Sequence, residues 1–236
     1  MIDVRPFSTL GGADHGWLKA RHHFSFANYH DPARMNWGRL RVWNDDEIAP
    51  GTGFDPHPHR DMEIITYVRD GAITHRDSMG NEGRTAAGDV QIMSAGTGVV
   101  HSEYNLEPET TRLFQIWILP DRRGAKPNWG SRQFPKERRE AGFEVLASGR
   151  PQDAGKGALP LNVDGAVMAA TLKPGQRLTL PLAPGRAAYL VPARGAVTVN
   201  GVPVGTRDGA AIRDEAAIEI AATQDAELVL VEVAAE

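Results

Sequence analysis

Tyr67-Val68-Arg69-Asp70-Gly71-Ala72-Ile73-Thr74 and Val191-Pro192-Ala193-Arg194-Gly195-Ala196-Val197-Thr198 are two versions of one pattern: an apolar start, a charged residue, a glycine, then Ala-Ile/Val-Thr. Each is followed by a Gly-Asn or Asn-Gly turn (Gly80-Asn81, Asn200-Gly201). Then comes a strand entered through Gly88 or Gly209, and finally a strongly apolar strand, Leu113–Leu119 or Leu228–Val233. Asn-Gly between two such runs is a type I′ hairpin signal. Recurrence of a whole strand–turn–strand unit marks duplication. The chain therefore reads as two copies of one β unit joined by a Pro-, Arg- and Lys-rich stretch near 120–142.

Other short runs, Glu63–Val68, Val90–Met93 and Tyr189–Val191, are β-branched or aromatic and closed by Gly, Asp or Asn, as strands are. The last 27 residues have no Gly or Pro and many alanines, but Ala217-Ile218-Glu219-Ile220 alternates with period two and favours strand over helix. Glycine and proline make up 41 of 236 residues, which punctuates the chain too often for a helical bundle. Many short strands between turns point to an all-β sandwich or barrel. Zero cysteine excludes disulfide frameworks, thiolate zinc, iron–sulfur clusters and a cysteine nucleophile. A formal charge of −4 gives no basic excess for nucleic acid or an anionic membrane. With no signal-peptide pattern or long apolar run, a cytoplasmic location is expected.

His57-Pro58-His59 places two imidazoles on one strand face, because residues i and i+2 point the same way. His101-Ser102-Glu103 repeats that geometry with an imidazole and a carboxylate. Three histidines and a glutamate make a nitrogen-and-oxygen donor set suited to Fe(II), Mn, Co, Ni or Cu, with two positions of an octahedron left for substrate and O2.

These residues carry a family resemblance. Gly51-x5-His57-x-His59-x3-Glu63-x7-Gly71 resembles the first cupin motif and Gly88-x5-Ser94-x-Gly96-x4-His101-x3-Asn105 the second. One extra residue before Gly71, Ser94 in place of the usual proline and a longer loop before His101 depart from the general form and are similar to the pirin family. So are the segments Phe24–Pro32, His59–Val68 and Gln115–Ile118, which resemble bacterial pirin-like proteins with quercetin 2,3-dioxygenase activity.

The resemblance implies an all-β bicupin of two tandem cupin (jelly-roll) domains, a metal-binding one at 1–135 and a cupin-like one without metal ligands at 136–236. It implies one divalent transition metal per chain, Fe(II) by first choice, held by His57, His59, His101 and Glu103. It also implies a flavonol 2,3-dioxygenase in which Glu103 takes the 3-hydroxyl proton and O2 opens the heterocycle, releasing carbon monoxide and a depside. The partners would be a small aromatic substrate and O2. The competing reading is a non-catalytic regulatory or redox-sensing pirin acting through a protein partner.

Glu63 shares the strand parity of His57 and His59 and is the alternative acidic ligand, or else a neighbour that orients an imidazole. Phe24 and Phe26, with Tyr29 and Trp43, are candidates for the wall of an aromatic pocket or for core. His22, His23, His30 and His75 are expected to be solvated or hydrogen-bonded rather than ligands. The basic run Arg122 to Arg139 is expected to be a solvated linker. Counting from Gly195 and Gly209 puts Pro181, Ala183, Ala222 and Gln224 where the first half has its ligands, so no second imidazole site is expected.

Overall fold

Gly71 and Gly195 are the points at which each copy of the repeat crosses from one sheet to another. Their φ values are 75° and 72°, in the region that favours glycine. A Cβ on Gly71 would also stand 2.7 Å from Thr111 Oγ1. The computed structural model describes residues 1–135, 139–140 and 142–236.

The first half contains β1 (Ile2–Arg5), β2 (Gly11–Asp14), β3 (Leu18–His22), β4 (Leu40–Ile48), β5 (Thr52–His59), β6 (Glu63–Asp70), β7 (Ala72–Asp77), β8 (Glu82–Ala86), β9 (Val90–Ser94), β10 (Val99–Asn105) and β11 (Thr111–Ile118). β12 (Asn128–Arg132) follows in the joining stretch, and the second half contains β13 (Glu144–Ser148), β14 (Leu159–Pro160), β15 (Gly165–Leu172), β16 (Arg177–Pro181), β17 (Arg186–Arg194), β18 (Val197–Val199), β19 (Val202–Val204), β20 (Gly209–Arg213), β21 (Ala217–Ala222) and β22 (Ala226–Ala234). Asn200 and Gly201, both at positive φ, form the two-residue turn between β18 and β19.

Each half is a sandwich. A small sheet ordered β5-β10-β7-β8 is matched by β16-β21-β18-β19, and a larger β12-β9-β6-β11-β4-β3-β2 by β1-β20-β17-β22-β15-β13-β14. The fold is thus all-β, with two tandem cupin domains. A division at residue 135 assigns both Ile2–Arg5 and Asn128–Arg132 to the first half; β12 does pair there, with β9, but β1 crosses to pair with β20 of the second.

The two large sheets pack back to back. Trp43, Tyr67, Phe114 and Ile116 from one meet Tyr189, Val191, Val229 and Val231 from the other in a single core. Large-sheet strands such as β6 and β22 are consequently buried on both faces and read as continuous apolar runs. Small-sheet strands β10 and β21 have one face toward solvent and alternate. Buried ions cross the same interface: Arg207 of the second half pairs with Asp45, which also holds Arg69. The basic run is not a solvated linker throughout. Asn128–Arg132 is β12, and Arg139 is wholly buried, donating to Tyr67 Oη at 2.7 Å and to the Phe134 carbonyl at 2.7 Å. Lys136 and Arg138 of that run lie outside the described residues.

Candidate metal centre

The interior of the second sandwich is one continuous apolar cluster that includes Met168, Leu190, Ile218, Ile220 and Leu230. The interior of the first is split. Leu18, Ile48, Val68 and Leu113 pack on one side, Ile64, Met93 and Val99 on the other, and polar residues occupy the space between.

His57 and His101 face each other across β5 and β10, with the register shift between His101 and Glu103 opposite Asp55-Pro56. His59 stands two residues on. The ring centroids are 4.5 Å apart for His57–His101, 4.8 Å for His57–His59 and 4.9 Å for His59–His101. The donor atoms of the three imidazoles lie within 4.8 Å of one another, and those of His75, His101 and Glu103 do likewise. Burial and then the neighbouring His101 and His57 hold His59 down to about 4. Burial, His57 and His75 hold His101 down to about 3. Both rings are therefore neutral near pH 7.

His57 Nδ1 lies 2.7 Å from the Asp55 carbonyl oxygen, which can only accept, so Nδ1 carries a hydrogen. His75 Nε2 lies 3.0 Å from the Asp77 carboxylate. Burial raises that carboxyl, but donors from Asn81, His75 and Met79 bring it below its usual range. His75 Nε2 therefore carries a hydrogen, and its Nδ1 lies 3.3 Å from His101 Nδ1. On the other side of the His101 ring, its Nε2 faces His57 Nε2 at 3.0 Å. Neighbouring ligands of a six-coordinate ion at about 2.1 Å stand about 3.0 Å apart, so the donor set fits a metal.

Glu103 is 3% exposed on β10 and shares its group of donor atoms with His75 and His101. Its Oε1 accepts from Gln91 Nε2 at 2.7 Å and Thr66 Oγ1 at 3.3 Å, and its Oε2 from Gln115 Nε2 at 2.8 Å. Gln91, Thr66, Gln115, Asn44 and His22 are successive cross-strand neighbours on β9, β6, β11, β4 and β3. A polar row thus crosses five strands where a sandwich would normally be apolar. None of Gln91, Thr66, Gln115, Asn44 or Asp46 stood out in the sequence. The available signal was a lone polar residue inside an apolar strand, as in Ile64-Ile65-Thr66-Tyr67-Val68.

Glu63 is elsewhere. Asp61, at φ 49°, turns the chain after β5, so Glu63 opens a strand of the other sheet and the parity argument fails. It accepts from Ser94 Oγ at 2.6 Å and from the Asn162 backbone at 3.1 Å. Phe24 is core, 5.0 Å from Tyr189 between ring centroids, and Trp43 is core too. Phe26 does line the cavity beside the histidines, which encloses about 200 Å³ and is bordered also by His22, Asn44, Asp46, Phe54 and Trp117. His22, His23 and His75 are buried and hydrogen-bonded to Asn44, Tyr189 and Asp77.

In the second half the register places the equivalents differently from the glycine count. Leu180 faces Ile218 as His57 faces His101, and Ile220 faces Leu178 and Val199 as Glu103 faces Phe54 and His75. The count slips because Gly209 is itself in β20 whereas Gly88 lies before β9, and the following loop is shorter. The row Gln91–Thr66–Gln115–Asn44 becomes Ala210–Leu190–Leu230–Met168.

Residues 3–118 match the Pirin family, and residues 145–233 match the quercetinase C-terminal cupin domain. The chain belongs to the pirin family. A pirin-like protein of Caulobacter vibrioides is 66% identical over 234 residues, 99% of this chain and 100% of that one. A quercetin 2,3-dioxygenase of Escherichia coli K12 is 44% identical, covering 98% of this chain and 97% of that one. The crystal structure of the bacterial pirin YhhW from Escherichia coli in complex with nickel(II) superposes on this pirin with a TM-score of 0.94, at 43% identity over 100% of both chains. Among the described residues no helix is long and apolar enough to cross a membrane.

Proposed function

We propose that this pirin is a metal-dependent dioxygenase that cleaves flavonols such as quercetin. The observation that carries the reading is the meeting of three imidazoles, with His57 Nε2 and His101 Nε2 facing each other at 3.0 Å, next to the Glu103 carboxyl that Gln91 and Gln115 hold. The name of the 44%-identical Escherichia coli relative supports the reaction, and the nickel(II) complex of YhhW supports a transition metal. His57, His59, His101 and Glu103 would hold one divalent ion per chain, with Fe(II) the first choice and Mn, Co, Ni and Cu suited to the same donors. When bound, the ion supplies Lewis acidity toward the substrate oxygens.

The chain's own residues do the rest. Glu103 is placed to receive the flavonol 3-hydroxyl proton, and Gln91 and Gln115 keep its two oxygens aimed as it does so. Phe26 and Trp117, whose rings meet edge-on at 5.3 Å, offer apolar surface to an aromatic ring, while Phe54 closes the cavity beside His57. One flavonol and one O2 become one depside and one carbon monoxide, which accounts for every atom.

Metal analysis of the purified protein followed by O2 uptake with quercetin tests the reading. One equivalent of metal and matched loss of O2 and flavonol absorbance are expected, and Glu103→Gln should lower turnover more than metal content. Metal-replete protein that neither consumes O2 nor bleaches quercetin would overturn it.

A further inference from the structure

The cavity beside the histidines contains a carboxyl group that the fold does not explain. Asp46 is 2% exposed, and Oδ1 is buried with no hydrogen-bond partner among the described residues. Its cross-strand neighbours are Leu113 in β11 and Ala20 in β3, neither of which has a side-chain donor. The preceding Asp45 points to the opposite face of the sheet and engages both Arg69 and Arg207, so those guanidinium groups are committed elsewhere. Burial, then Asp45 and Glu103, hold the Asp46 carboxyl well above its usual range. That favours the neutral acid, which can both donate and accept. Trp117 Nε1, on the same cavity, is likewise buried without a partner. Leu18, Ala20 and Phe54 add apolar surface to the same cavity.

A buried polar group left unpaired destabilises the fold, and such groups persist where a ligand completes them. Asp46 lies on the large sheet, facing the small sheet that carries His57, His59 and His101. We propose that Asp46 is a specificity-determining residue of this site, hydrogen-bonding a phenolic hydroxyl of an aromatic substrate whose reacting end is directed to the histidines. The inference rests on the flavonol reading above and names the part of the molecule that selects among flavonols.

The test compares quercetin with 3-hydroxyflavone, which keeps the ring system and the 3-hydroxyl but lacks every other hydroxyl. Nickel-loaded wild-type protein should bind quercetin roughly tenfold more tightly, the worth of a well-made buried hydrogen bond. Asp46→Leu should bring the two ligands to within about twofold, chiefly by weakening quercetin, with nickel content unchanged and Tm equal or higher. Asp46→Asn retains a donor and an acceptor and should keep most of the preference. A Leu variant with the wild-type preference overturns the proposal and leaves the flavonol reading standing. A Leu variant that fails to fold or melts lower shows Asp46 to be structural and also overturns it. Wild-type protein that binds neither flavonol overturns both.

Discussion

The His101 ring is held from behind. Asp77 binds His75 Nε2, and His75 Nδ1 stands 3.3 Å from His101 Nδ1, on the side away from His57. Trp129 stacks on His75 at 5.0 Å and 11° and keeps that ring from turning. His75→Phe preserves the stack but removes the nitrogen behind His101, so metal affinity, measured by chelator competition, should fall ten- to a hundredfold while the fold is kept. His23 answers to a different rule. It is fully buried, and burial followed by Arg5 and Arg34 puts it well below 6.5. Unfolded chains therefore bind a proton at His23 that the native state refuses, and stability falls as pH drops below about 6.5, by roughly 1.4 kcal/mol per pH unit for that one group. Thermal melts of metal-free protein from pH 7.5 to 5 should show the decline, with His59 and His101 acting in the same direction. His57, His59 and His101, whose donor atoms meet, were legible as candidates because i, i+2 spacing on a strand puts two side chains on one face, and so was Glu103, through its spacing from His101 and the family resemblance. Gln91 and Gln115 were not, since an amide inside a strand acquires meaning only when a facing sheet brings a carboxylate to it.

At the scale of the element, alternation identified the strands, and the glycines identified the repeat. Which sheet a strand joins was not legible. The His59-to-Glu63 interval looks continuous in sequence, yet Asp61 at φ 49° sends Glu63 to a different sheet. The crossing at Gly71 is equally sharp, so Gly71→Ala should lose about 1–3 kcal/mol through the strained backbone and the contact with Thr111, read by denaturant melting. The polar row has its own test. Gln115→Leu copies the residue the second half has at Leu230, but it strips Glu103 Oε2 of its donor. About 1–3 kcal/mol of stability should be lost together with turnover, whereas the apolar row of the second half has no carboxylate to strand.

At the scale of the whole molecule, β4 joins the halves, with Asp45 toward the interface and Asn44 and Asp46 toward the cavity. Arg207→Ala leaves Asp45, at 0% exposure, with Arg69 alone, and a loss of about 3 kcal/mol is expected in equilibrium unfolding. No periodicity could have revealed the crossing of β1, because a strand of four residues carries no mark of which edge it will complete. Pairing of β1 with β20 joins residues some two hundred positions apart, whereas β12 meets β9 across about forty. The histidine-bearing half therefore gains its last strand through a short loop. The sheet of the second half is completed only by the long-range contact, which makes that edge, and not the site, the slow part of the molecule to assemble.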